Sequence, residues 1–237
     1  MSAPFVFFDA AGTLFHLREP VGVGYSRIAE NFGFRLDAND ASKAFGTVFG
    51  SMGSPTYADG GASNQNEAVD HAWWRLLVAD VFRQCGADPD LPQFGVCFDA
   101  LFDHYGSADA WQLFPDTVPA LEALESAAVG IGVLSNFDAR LVPILQDLGL
   151  FDCFDAIAVS SQLGAVKPQQ KCYRAAAALA NVPPASCVLI GDDPIRDHQA
   201  AIEAGFRAAY LVDRPTKSLE TIVASILASE PPPQTEN

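Results

Sequence analysis

The chain has 237 residues with 49% hydrophobic content, enough for one large α/β domain or a core with a smaller lid, so disorder is not its default state. Its formal net charge of −15 sets the protein's own field against nucleic acid and anionic membrane surfaces, and neither is expected as a partner. Five scattered cysteines, Cys85, Cys97, Cys153, Cys172 and Cys187, show no Cys-x-x-Cys spacing and read as buried thiols of a reducing compartment. No basic segment with an apolar centre and a small-residue cleavage site precedes the first apolar run, and no run approaches the ~20 residues of a membrane span. The cytoplasm is the expected address.

The first predicted element is the apolar strand Phe5-Val6-Phe7-Phe8, which delivers Asp9 into the tight turn Ala10-Ala11-Gly12-Thr13. A carboxylate at the end of a buried strand loses hydration, a cost that a metal, a cation or hydrogen bonds must offset. Asp9 therefore reads as a site residue. Four amphipathic segments follow: 21–32, stopped by Gly33; 38–49; 67–85, stopped by Gly86; and 91–105, stopped by Gly106. Between the second and third, the glycine- and serine-rich stretch 50–61 reads as a connecting loop. In the third, Trp73 and Trp74 cannot share a helical face, so one is expected in the core of these helices and the other at their seam with the rest of the chain.

Strands and helices then alternate. Asp116 is placed to cap a helix running to residue 128. The run 129–134 leads into Ser135-Asn136, the run 156–159 leads on to Lys167-Pro168, and the run 187–191 delivers Asp192, Asp193 and then Asp197. Helices are predicted over 138–148, 169–181, 195–204 and 218–227. Such alternation with short links predicts a three-layer α/β fold, a Rossmann-like parallel sheet covered on both faces. In open sheets of this kind ligands bind beyond the carboxyl ends of the strands, where the hydroxyl, the lysine and the acidic cluster are all placed. The predicted organisation is a core in two pieces, 1–15 and 112–229, a helical cap over 16–111 inserted after the first strand, and a disordered, proline-rich tail at 230–237.

Asp-x-x-Gly-Thr at Asp9, Ser135-Asn136, Lys167-Pro168 and Gly191-Asp192-Asp193 with Asp197, in this order and with a long insertion after the first, resemble the four motifs of the haloacid dehalogenase-like hydrolase superfamily. The likeness covers residues 5–212, and the Asp-Ala-Ala-Gly-Thr-Leu-Phe start with the Trp73-Trp74 pair resembles a subgroup that carries a helical cap after the first motif. The resemblance implies a small phosphorylated substrate and catalysis by Asp9, Ser135 and Lys167, with Asp9 as the nucleophile that forms an aspartyl intermediate. It implies Mg²⁺ held by Asp9, the backbone carbonyl of Ala11 and Asp192, with Asp193 and Asp197 in support. Phosphate contacts fall to Thr13, Ser135, Asn136 and Lys167.

One position departs from the pattern. Where the superfamily's phosphatases carry a second aspartate as proton donor, this chain has Ala11, and a methyl group cannot move a proton. General acid–base help is worth ~10²–10⁴ in rate, so alkyl phosphates are expected to be poor substrates and aryl or acyl phosphates better ones. His16, near in sequence, reads as an ordinary hinge or surface histidine. Two other branches also lack the aspartate. Dehalogenases use no metal, against the acidic motif here; phosphonate-cleaving members use a cap lysine, for which Lys43 is the sole candidate and reads as a solvated helix residue. The rival from another class is a catalytically weak protein that binds a phosphate-containing ligand or a protein partner through its cap.

Overall fold

A computed structural model of the chain describes residues 4–58 and 63–229; the tail expected at 230–237 and part of the loop 50–61 lie outside them. The core is a five-stranded parallel sheet in the order β5-β4-β1-β6-β7. Its strands are β1 (Phe5–Phe8), β4 (Gly130–Ser135), β5 (Ala156–Val159), β6 (Cys187–Gly191) and β7 (Ala208–Leu211). β1 lies in the centre, with Phe5 opposite both Gly130 and Cys187, and Phe8 opposite Val133 and Ile190.

Period-two alternation sends successive side chains to opposite faces, and both faces are dry. Val6, Phe8, Ile131, Val133, Val188 and Ile190 point into one apolar cluster, closed by α5 (Thr117–Ser126), α6 (Leu141–Asp147) and α10 (Leu219–Ala228). Phe5, Phe7, Leu134, Cys187 and Leu189 point into the other, closed by α8 (Gln170–Leu179) and α9 (Ala200–Glu203). The sheet is the three-layer α/β architecture expected.

Between β1 and β4 the chain leaves through β2 (Phe15–Leu17) and returns through β3 (Trp111–Leu113), which pair antiparallel with His16 opposite Gln112. This short ribbon carries α1 (Val21–Glu30), α2 (Ala38–Ser51), α3 (Ser63–Gln84) and α4 (Phe94–Gly106), which enclose an apolar cluster of their own around Tyr25, Leu77, Phe82 and Phe98. Asp37 caps α2 by accepting from the backbone N–H groups of Asn39 and Asp40, and Gly33 and Gly86 take left-handed φ values of +81° and +75° where the first and third helices end.

Three expectations need correction. Asp116 stands at the start of α5 without capping it by its side chain; its carboxylate accepts from Arg214 and from the backbone N–H of Leu219, tying α5 to α10. The segment after Asp193 opens as a π-helical turn, Pro194–Gln199, before α9, because Asp197 is drawn inward to Lys167. Of the five cysteines, all free, Cys85 and Cys153 are half-buried rather than buried, each packed against the outside of an apolar cluster.

Candidate active site

The central strand ends in a turn whose N–H groups at Thr13, Leu14 and Phe15 all point to the carbonyl of Ala10 (3.2, 2.8 and 3.4 Å), and none of these bonds uses the carbonyl of Ala11. Asp9 is thereby set at the carboxyl end of β1, and its own N–H donates to Ile190 O at 2.9 Å. Gly12 has a φ of +93°, and a Cβ there would meet Oδ2 of Asp192 at 2.4 Å, so only glycine lets the turn approach the end of β6. Gly191 plays the same part beneath Asp197, whose Cγ a Cβ would meet at 2.3 Å.

Lys167 is buried with its Nζ between two carboxylates, donating to Oδ1 of Asp9 at 2.7 Å and to Oδ1 of Asp197 at 2.5 Å. Burial alone would lower its pKa, but the two carboxylates more than reverse that and hold the ammonium charged. Burial pushes the Asp9 carboxyl up to about 6, held in check by Lys167 and assisted by Asp197. Asp192 is exposed at the mouth of the site and is raised by partial burial and by Asp197. Asp9, Asp192 and Asp197 each present an oxygen within 4.8 Å of the others.

The remaining acid has a different task. Asp193 caps the following turn, accepting from the N–H groups of Ile195 (2.9 Å) and Arg196 (2.7 Å) and pairing with the Arg196 guanidinium. Burial favours its neutral form, yet these bonds outweigh it and keep Asp193 below the usual carboxylate range. Asp197 accepts the Asp193 N–H at 3.0 Å with its second oxygen, so both its oxygens are engaged within the protein. That leaves Asp9 and Asp192 as the carboxylates with oxygens open to a cation, and Ala11 borders the same cavity. Hard oxygen donors and a cradle that a Cβ would fill fit Mg²⁺.

Ser135, buried at the end of β4, lines the same cavity as Asp9 and Lys167. Thr13 is fully buried, and its Oγ1 has no hydrogen-bond partner. Asn136 is committed elsewhere than expected: its Nδ2 donates to Lys167 O (2.8 Å) and its Oδ1 accepts from Lys167 N (2.7 Å), so its side chain fixes the lysine loop. His16 lies in the ribbon with Nδ1 against Leu17 O at 2.8 Å, a hinge histidine whose ring also borders the cavity.

The helical insertion closes over these residues to leave a cavity of about 790 Å³. A polar latch holds the seam: Trp74 Nε1 donates to Asp138 at 2.9 Å, Arg140 pairs with the same carboxylate at 2.6 Å, and Arg140 reaches Phe102 O at 2.7 Å. Trp73 bonds within the insertion, to Gly53 O at 2.7 Å, but both tryptophans are half-buried against the helical cluster and border the cavity, so neither is the core residue expected. The loop read as a connector also forms part of the wall, through Ser54 and Pro55. Asp70 was not singled out by the sequence. It is buried on α3, takes the Tyr57 hydroxyl at 2.6 Å and leaves Oδ2 unpartnered. No local pattern announces it; Tyr57 and Asp70 meet only because the loop folds back. Lys43, by contrast, is exposed beside Asp40 and is not among the residues bordering the cavity.

Residues 5–205 match the haloacid dehalogenase-like hydrolase family. The chain is 31% identical over 210 residues to haloacid dehalogenase-like hydrolase domain-containing protein 3 of Bos taurus, covering 88% of this chain and 81% of that protein. It is 30% identical over 219 residues to rhythmically expressed gene 2 protein of Drosophila melanogaster, covering 88% and 83%. Its fold is similar to that of a HAD phosphatase from Thermococcus onnurineus, with a TM-score of 0.64, 22% identity and coverage of 97% and 99%. With the motif residues converging at the strand ends and the match spanning most of the chain, this protein belongs to the haloacid dehalogenase-like hydrolases.

Proposed function

We propose that the protein removes the phosphoryl group from a small phosphorylated compound, with Mg²⁺ as cofactor, through an aspartyl-phosphate formed on Asp9. The observation that carries this reading is the contact of Asp9 with Lys167 at 2.7 Å beside the carboxylate of Asp192. A buried carboxylate paired with a buried ammonium, facing a cavity, is placed for nucleophilic attack on an anion.

In this reading an Asp9 oxygen attacks phosphorus, the bond to the leaving oxygen breaks, and that oxygen departs with the electron pair. Water then splits the aspartyl-phosphate, restoring the carboxylate and releasing inorganic phosphate. Lys167 keeps Asp9 ionised and balances part of the incoming negative charge. Ser135 donates to a phosphoryl oxygen, and Asn136 holds the Lys167 loop in place. Mg²⁺ bound by Asp9, Asp192 and the Ala11 carbonyl would supply charge neutralisation and orientation for the phosphoryl oxygens.

The methyl of Ala11 favours a second reading, a catalytically weak protein that binds a phosphate-containing ligand or a protein partner. Dehalogenase and phosphonate-cleaving readings stand below both; the latter needs a cap lysine at the site, and Lys43 is exposed on α2. The free cysteines support a cytoplasmic address, and no described helix is long and apolar enough to cross a membrane.

Hydrolysis of an aryl and an alkyl phosphate, with and without Mg²⁺ and with Asp9→Asn as control, tests the proposal. Metal-dependent aryl turnover that vanishes in the control is the expected result. No turnover above control with either compound would favour the binding reading.

A further inference from the structure

The leaving group must satisfy two independent features of the cavity. The first is chemical: position 11 carries a methyl group, so the leaving oxygen departs without a proton from that residue. A phenolic oxygen tolerates this, since phenols ionise near pH ~10 as tyrosine does, whereas an alkoxide is a far stronger base. The second is steric and electronic. The cavity is walled from the insertion by Phe45, Phe49, Trp73 and Trp74, and from the core side by Trp111 and Phe137.

These rings pack on one another to form one aromatic surface. Trp73 and Trp74 lie edge to face at 4.9 Å, Phe49 meets Trp73 edge to face at 6.0 Å, and Phe49 stacks on Trp74 at 6.3 Å. Phe49 is nonetheless 40% exposed, an uncovered ring at the edge of a cavity. A second, apolar cavity of about 90 Å³ shares Leu17, Phe45, Trp74, Trp111 and Phe137 with the first, so the apolar wall continues beyond it.

Of the polar groups of the wall, Asp70 keeps Oδ2 unpartnered, whereas Asp138 and the guanidiniums are engaged. Asp138 is taken by Trp74 and Arg140, Arg18 donates to Asp109 O and Trp111 O, and Arg196 pairs with Asp193. The guanidiniums that would receive an anionic leaving group are thus already engaged.

Resting on the phosphoryl-transfer reading above, we infer that the substrate is an aryl phosphate ester, its ring seated against Phe49, Trp73 and Trp74 in the seam and its phosphoryl group at Asp9. The reaction balances simply: the P–O(aryl) bond breaks, the phenolate oxygen keeps the electron pair and takes a proton from solvent, and water supplies the oxygen and protons of the released phosphate.

Calorimetric binding of phenylphosphonate, hexylphosphonate and methylphosphonate in the presence of Mg²⁺ tests the inference without turnover. The expected result is phenylphosphonate binding roughly tenfold or more tighter than methylphosphonate and several-fold tighter than hexylphosphonate. The phenyl-to-methyl preference should fall at least several-fold in Phe49→Ala, and likewise in Trp73→Leu, which serves if the first variant folds poorly. Equal binding of all three compounds overturns the aryl assignment while leaving the phosphoryl site standing. A hexyl group that matches phenyl, or a preference unchanged in both variants, overturns it as well. Binding of none of the three overturns the aryl assignment together with the reading on which it rests.

Discussion

Replacing Lys167 with methionine removes the cation that, among the described residues, contacts both buried carboxylates, Asp9 at 2.7 Å and Asp197 at 2.5 Å. At an effective dielectric constant of ~20, each such contact corresponds to about 6 kcal/mol of Coulomb attraction before desolvation is counted. Burying three ions cancels much of that, so the intact cluster contributes little net stability. Removal of the lysine is asymmetric, however, because it leaves two carboxylates facing each other with no cation between them. The expected loss is ~3–5 kcal/mol at neutral pH, part of it taken as proton uptake by Asp9, since the Lys167 charge that holds its carboxyl down in the intact protein is gone. Urea unfolding in the presence of a chelator measures it, with the m-value checking that the transition stays two-state. The double variant Lys167→Met with Asp197→Asn should recover roughly half of the loss by removing one of the stranded charges. A single-variant loss below about 1 kcal/mol, or a double variant no better than the single, would refute the charge reasoning.

Three further outcomes follow from the site. Ala11→Asp should raise alkyl phosphate turnover by ~10²–10⁴ and flatten the dependence of rate on leaving-group pKa across an aryl phosphate series; an unchanged slope would show that position 11 does not face the leaving oxygen. Gly12→Ala should weaken Mg²⁺ binding at least several-fold by titration calorimetry, since its Cβ would lie 2.4 Å from Oδ2 of Asp192, and an unaltered affinity would place the cation elsewhere. Burial pushes the Asp70 carboxyl up to about 6 against the lowering effect of the Tyr57 hydroxyl. The folded state therefore holds this proton more tightly than the unfolded one, and stability from this group falls as pH rises from about 4 to about 6. Asp70→Asn should remove that slope and gain on the order of 2 kcal/mol relative to wild type above the window; parallel pH profiles of the two proteins would contradict it.

What was legible in the sequence was local. The run Phe5–Phe8 could be read as a buried strand because all its residues are apolar, and Gly12, Gly33 and Gly86 marked turns that only a left-handed backbone completes. Asp9, Ser135, Lys167 and Asp192 each stand at the end of a strand, directly beyond one or in a loop after one, so a parallel sheet brings them together. The ribbon of β2 and β3 was harder to see because three residues per strand carry too little periodicity, and its partners lie about a hundred residues apart. Long separation also hid the bond of Trp74 to Asp138, 64 residues away, and the Arg214–Asp116 pair, 98 residues apart, neither of which has a spacing signature. Asn136 was assigned to the ligand from its motif, but the loop it holds was invisible before folding: both polar atoms of its amide meet the main chain of Lys167.

The central claim is that Asp9 becomes covalently phosphorylated during turnover. Its most direct test is to mix the protein with an aryl phosphate and Mg²⁺, quench in acid within a single turnover, and locate the phosphoryl group by peptide mapping. The account predicts one phosphoryl group on the peptide carrying Asp9, absent in Asp9→Asn. Turnover of the aryl phosphate with no label on that peptide, or an equal label in the Asn variant, would contradict it.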